Sequence, residues 1–191
     1  MARGAASRGL KPVLAGRNGS AIEKLATELN CPHRVFSLEG TPEEIASHLQ
    51  DIAAVVHCAG PFSKTSQPML DGCLKSGTHY LDITGEIEVI QNCAAASDLG
   101  RTAGITIMPA VGFDVVPTDC MAASLAAELP TATKLELAFA AISQLSRGTA
   151  KTMIETIPFG GRARIDGELV HVPNGWKTME VPFRKGTKLA M

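Results

Sequence analysis

VVHCAGPFSKTSQPMLDGCLKSGTHYLDITGE, residues 55–86, is the stretch on which the fold turns. An apolar run ends at Ala59, and Gly60-Pro61 then turns the backbone. The spacing predicts a helix from about Thr65 to Lys75, stopped by Gly77, and a short strand from His79 to Ile83 that runs into Gly85-Glu86. The result is a strand–helix–strand unit with polar clusters at the carboxyl ends of both strands. In open parallel sheets that edge is where ligands bind.

Upstream, residues 2–9 read as the end of an Ala- and Arg-rich helix, and Lys11 to Arg17 as a short buried strand. Ser20 with Glu23 has the form of a capping box, and Ile22, Leu25, Ala26 and Leu29 make one apolar helical stripe. His33 to Leu38 is a weak strand. Thr41-Pro42-Glu43-Glu44 opens a second helix, with Thr41 as cap and Pro42 in the first turn. Ile52 to Ala59 is the most continuously apolar segment, which predicts a strand near the middle of a parallel sheet. Downstream, a helix is expected from Gly85 to about Leu99, a strand from Ile105 to Val111, and a helix through Leu129 that Pro130 ends. Strands and helices alternating at this spacing predict a doubly wound parallel α/β sheet.

The pattern changes after Pro130. Thr133 to Ala141 alternates like a strand, residues 148–156 suit a helix, and Asp166-Gly167 between two apolar-alternating runs is a hairpin signal. Lys177 to Phe183 is a further strand. Two parts are therefore expected: residues 1–130 as a dinucleotide-binding domain, and residues 131–191 as the beginning of a more antiparallel α+β domain for substrate or dimer contacts.

Composition narrows the function. The net charge is -1 at pH 7, which argues against a nucleic-acid partner, since that would need a basic face. No run approaches the roughly 18 apolar residues of a membrane span, and the first residues carry no apolar signal core. The five cysteines are scattered and odd in number, which predicts free thiols in a reducing, cytoplasmic setting, with no disulfide framework and no metal site.

Several positions carry candidate chemistry. Arg17-Asn18 follows the first strand, where a dinucleotide fold meets the adenosine ribose. An arginine there suits the 2′-phosphate of NADP, where an acidic residue would suit NAD; the alternative is a solvated loop arginine. Ala59-Gly60-Pro61-Phe62 would let a flat ligand approach the backbone, or would simply be a strand-to-helix turn. His79, Tyr80, Asp82 and Glu86 form the densest ionisable cluster. Tyr80 and Asp82 share a strand face and are the candidate catalytic pair for proton transfer. The competing reading makes Tyr80, the only tyrosine, a core ring, and has Asp82 and Glu86 bond the loop after Thr84. Asp114 and Asp119 suit loop structure or helix capping, and the other histidines lack metal-ligand spacing.

AGPF at Ala59–Phe62, Gly77-Thr78-His79-Tyr80 with Asp82, Gly85-Glu86, AGRN at Ala15–Asn18 and PAVGFDVVPTD at Pro109–Asp119 together resemble one family. It is the saccharopine dehydrogenase-like oxidoreductases, a group that includes the trans-acting enoyl reductases. The resemblance implies NADP as cofactor, with NAD less favoured, and reduction of a double bond or imine in a small-molecule substrate. It also implies cofactor contacts from Arg17, Asn18, Ala59, Gly60, Pro61, Phe62, Gly85 and Glu86.

Such enzymes open with a strand and a Gly-rich turn that cradles the cofactor pyrophosphate at a helix N-terminus. Here Gly4 and Gly9 have no apolar strand ahead of them. The expectation is a Rossmann-like sheet lacking its first strand and Gly-rich loop, as in a fragment or a mis-started reading frame, in which the strands at Val13 and Val55 either close together or leave an unpaired gap. Such a chain would hold NADP weakly or not at all. An alternative is a non-catalytic remnant that self-associates as a homo-oligomer through exposed strands.

Overall fold

A computed structural model describes residues 1–113, 115–138, 158, 160–184 and 186–190. The chain separates into two compact units, Met1–Asp119 and Cys120–Met191.

The first unit runs α1 (Ala2–Ala6), β1 (Leu14–Gly16), α2 (Gly19–Leu29), β2 (His33–Val35), α3 (Pro42–Ser47), β3 (Ala54–His57), α4 (Phe62–Ser76), β4 (His79–Asp82), α5 (Ile87–Ala95), α6 (Ser97–Ala103) and β5 (Ile107–Met108). Every strand pair in it is parallel: β1 with β2, β3 with β4 and β4 with β5. The five expected strands are present and none has an antiparallel neighbour within this unit.

They form two sheets rather than one, in orders β1-β2 and β3-β4-β5. β1 and β3 each keep one edge without a ladder partner among the described residues, so of the two expected outcomes the gap is left open and the strands do not close together. The apolar core is divided in the same way. Leu14, Ala26 and Cys31 form a small cluster under the α2 stripe. A larger one joins Ile45 and Leu49 to Leu70, Cys73, Tyr80 and Val89.

β3 is not central, contrary to the reading of its apolar run. It is an edge strand of its sheet, and Val56 is 48% exposed, as is Met108 at 47%. Apolar continuity predicts burial on both faces only if both faces are covered. Among the described residues the buried core lies on one face of this sheet, the face of Tyr80 and Asp82. β4 is the middle strand.

The helices follow from local chemistry with two exceptions. Thr41 and Glu44 form the expected capping box, with Pro42 in the first turn. Gly77 and Gly104 end α4 and α6 in the left-handed conformation. α2, however, is capped by Asn18, whose Oδ1 accepts the Ala21 N–H at 3.1 Å, so the Ser20–Glu23 box is not formed. The helix expected from Gly85 to Leu99 is broken at Ala96 into α5 and α6. Gly72 lets α4 approach α3 closely: a Cβ there would lie 2.4 Å from Ile45 Cγ2.

The second unit begins within α7 (Val116–Glu128) and holds two antiparallel hairpins, β6 (Gly161–Ile165) with β7 (Glu168–Val172), and β8 (Met179–Phe183) with β9 (Gly186–Ala190). Asp166 (φ 50°) and Gly167 (φ 86°) make the expected two-residue turn. β9 was not foreseen. Residues 133–138 are not a strand, although their side chains alternate; the rest of that segment, the helix expected over 148–156 and Asp114 lie outside the described residues.

Candidate functional site

Tyr80, Asp82, Thr84 and Glu86 are spaced by two and continue one face of β4 into the loop that follows it. Asp82 is fully buried. Its Oδ2 accepts the Tyr80 hydroxyl at 2.7 Å, and its Oδ1 accepts the Thr84 N–H at 3.0 Å and the Ala110 N–H at 2.8 Å. Its backbone carbonyl accepts the Val111 N–H at 2.8 Å. One residue thus ties the loop after β4 to the loop after β5. Gly112 lets the two loops touch, since a Cβ there would meet Ile83 Cβ at 2.9 Å.

Glu86 makes the connection to the remaining loop. Its Oε1 accepts the Phe62 N–H at 3.0 Å and its Oε2 the Ser63 N–H at 2.8 Å, while its own N–H donates to Thr84 Oγ1 at 3.0 Å. The carboxylate satisfies the first free N–H groups of α4 and sits at the positive end of its dipole. α4 consequently begins at Phe62, earlier than the local sequence indicates.

The loop after β3 is held from within as well. The Thr65 hydroxyl donates to the Ala59 carbonyl and lies 3.1 Å from the Pro61 carbonyl. His57 Nε2 lies 3.0 Å from the same Thr65 oxygen. Because the single hydroxyl proton goes to a carbonyl, Nε2 carries the proton and donates to Thr65. His57 is buried beside the rings of Phe62 and Tyr80.

The electrostatics follow from burial. Burial lowers His57 to about 4, with the Asp82 charge opposing the shift. Burial, then the bond to Asp82 and the charge of Asp82, push the Tyr80 phenol well above its ordinary value. Burial alone pushes the Cys73 thiol up to about 12. All five cysteines are free, and no His, Cys, Asp and Glu cluster suited to a metal occurs among the described residues.

The structure therefore brings Tyr80, Asp82, Glu86, Phe62 and, through Thr65, Ala59 and Pro61 into one network. Gly60 and Gly85 lie exposed on its surface. Arg17 and Asn18 stand apart, on the β1–α2 turn. Asn18 is engaged as a helix cap, and the exposed Arg17 guanidinium has no hydrogen bond or ion pair among the described residues. His57, Thr65 and Thr84 were missed in the sequence. The signal was present for Thr84, whose spacing continues the Tyr80–Asp82 face to Glu86.

Unit one is thus a mixed α/β fold of parallel strand–helix–strand units, and antiparallel hairpins follow it. No protein-family model matches the chain. Over 114 residues it is 32% identical to a probable mitochondrial saccharopine dehydrogenase-like oxidoreductase of Arabidopsis thaliana, a match that covers 56% of this chain and 25% of that protein. Over 87 residues it is 36% identical to a trans-acting enoyl reductase of Mycobacterium ulcerans, covering 44% of this chain and 19% of the relative. Among solved structures, apo saccharopine dehydrogenase (L-Glu forming) from Saccharomyces cerevisiae superposes with a TM-score of 0.58 at 15% identity, covering 68% of this chain and 28% of that one. That likeness concerns the fold alone. Part of the chain is homologous to saccharopine dehydrogenase-like oxidoreductases and trans-acting enoyl reductases, and the matches take in about a quarter of those proteins' lengths or less.

Proposed function

We propose that this chain is part of the cofactor domain of an NADP-dependent oxidoreductase that reduces an enoyl or imine double bond in a small molecule. On this reading residues 1–130 form a Rossmann-like, doubly wound domain without its first strand and Gly-rich turn, and residues 131–191 belong to a substrate or dimerisation domain. The setting is the cytoplasm, in keeping with the free cysteines; the Arabidopsis relative is described as mitochondrial, so compartment can differ between relatives. No helix among the described residues is long and apolar enough to cross a membrane.

The observation that carries the proposal is the donor set at the carboxyl ends of the parallel strands. The Arg17 guanidinium, without a partner among the described residues, follows β1 and suits a 2′-phosphate, with Asn18 fixing the turn as cap of α2. The exposed Ala59–Gly60 backbone follows β3, and Pro61 and Phe62 complete a surface against which a nicotinamide ribose fits. Gly85 and Glu86 brace that surface, and both Glu86 oxygens are already occupied by backbone N–H groups. When bound, the cofactor supplies the hydride. The buried Tyr80 and Asp82 are assigned to holding the loops in place rather than to proton transfer, because neither side chain reaches solvent. Titration with NADPH, followed by cofactor fluorescence, tests the reading.

A second reading has its own observation. Among the described residues β1 and β3 have open edges, and Val56 and Met108 are exposed on a sheet face that no described residue covers. Such edges template pairing between chains. Self-association as a homo-oligomer without catalysis would then be the whole activity, and light scattering at increasing concentration measures it.

A further inference from the structure

The Ala59–Gly60 peptide is aimed by side chains from two elements. The Ala59 carbonyl is taken by the Thr65 hydroxyl on α4, and Thr65 is oriented by His57 at the end of β3. The peptide is trans and planar, so its N–H points opposite to its carbonyl. With the oxygen drawn in toward α4, the Gly60 N–H faces outward. Ala59 and Gly60 are both exposed, and the next residue, Pro61, has no N–H to compete.

Among the described residues no steric contact calls for a glycine here. Gly60 is not in the left-handed region, and the nearest atoms a Cβ would meet are those of Phe62, its ring at an ordinary 3.6 Å and its backbone N at 3.8 Å. An exposed glycine that neither conformation nor internal packing requires leaves room for close approach from outside.

We infer that Thr65, held by His57, is a positioning residue that presents the Gly60 N–H as a single hydrogen-bond donor to an uncharged oxygen acceptor of the bound ligand, such as a ribose hydroxyl or a carboxamide oxygen. This rests on the cofactor reading above and deepens it. His57 serves the role because it is neutral around pH 7: burial keeps it so, and the charged or titratable groups near it are Asp82 and Tyr80 on β4 and Cys58, the next residue in the chain. A neutral imidazole with its proton on Nε2 leaves the Thr65 proton free for the Ala59 carbonyl.

The test is an amide-resolved NMR titration of the 191-residue chain with NADPH up to millimolar concentration, repeated for Thr65→Val and Thr65→Ser. The Gly60 amide resonance is expected to move as NADPH is added. Thr65→Val should weaken binding by up to about tenfold, and Thr65→Ser, which keeps the hydroxyl, should bind within about twofold of the parent. Movement of other amides with Gly60 unmoved overturns this role and leaves the cofactor reading standing, as does full-strength binding by Thr65→Val. No response of any resonance overturns the cofactor reading and the role with it. If Thr65→Val fails to fold, the Gly60 amide in the parent and the Thr65→Ser affinity decide the matter.

Discussion

Tyr80 and Asp82 are joined by a 2.7 Å hydrogen bond inside the core, with neither side chain exposed to solvent. Asp82 is a buried carboxylate with a donor on each oxygen, and two of its donors are backbone N–H groups of different loops. Removing it strands all of them. Asp82→Ala is expected to destabilise the chain by about 3 kcal/mol or more, a large share of the roughly 5–15 kcal/mol that holds a domain together. Asp82→Asn keeps one acceptor oxygen and should cost less. Urea denaturation of the two variants checks the order; equal and small losses would contradict the assignment.

Glu86 acts across 24 residues of sequence as the cap of α4. Glu86→Ala should cost about 1–2 kcal/mol, in the range of lost helix caps, and should speed hydrogen exchange at the Phe62 and Ser63 amides specifically. Glu86→Gln keeps an acceptor and should fall between. Unchanged exchange at those two amides would mean that the cap is not made in solution.

The only tyrosine gives a clean optical probe. Burial and Asp82 hold the Tyr80 phenol well above its ordinary value, so tyrosinate absorbance should rise on alkaline titration only as the chain unfolds. A free tyrosine titrates near pH 10. Absorbance rising there while circular dichroism remains native would contradict the burial.

His57 gives an acid limb. Its folded value of about 4 lies below the ordinary 6.5, so the unfolded chain binds the proton more readily. Its contribution is intact above about pH 6.5 and is lost as pH falls toward 4, to a limit of about 3 kcal/mol. Stability measured from pH 7 to pH 4 should fall less steeply in His57→Gln than in the parent. Parallel curves would show that the imidazole titrates normally.

What the sequence made legible was mostly local. The five parallel strands, the Thr41 box, the Gly77 stop and the Asp166-Gly167 turn follow from periodicity, capping and turn chemistry within a few residues. What it missed came from partners distant in the chain or from alternatives close by. α4 starts at Phe62 because Glu86 reaches it from the next loop, and α2 starts at Gly19 because Asn18 caps it in place of Ser20. β3 read as central because its residues are apolar, yet its position is set by which strands pair with it. The cluster of Tyr80, Asp82 and Glu86 was legible as a cluster. Its chemistry depended on burial and on the loop amides, which no spacing reveals.

The claim that these carboxyl-end loops bind a dinucleotide with a 2′-phosphate is tested most directly by comparing NADPH and NADH on the parent chain and on Arg17→Ala. The account predicts that both cofactors bind, that NADPH binds more tightly by about tenfold or more, and that Arg17→Ala removes most of this preference while leaving NADH affinity nearly unchanged. Equal affinities in the parent, a preference that survives Arg17→Ala, or no binding of either cofactor would contradict it.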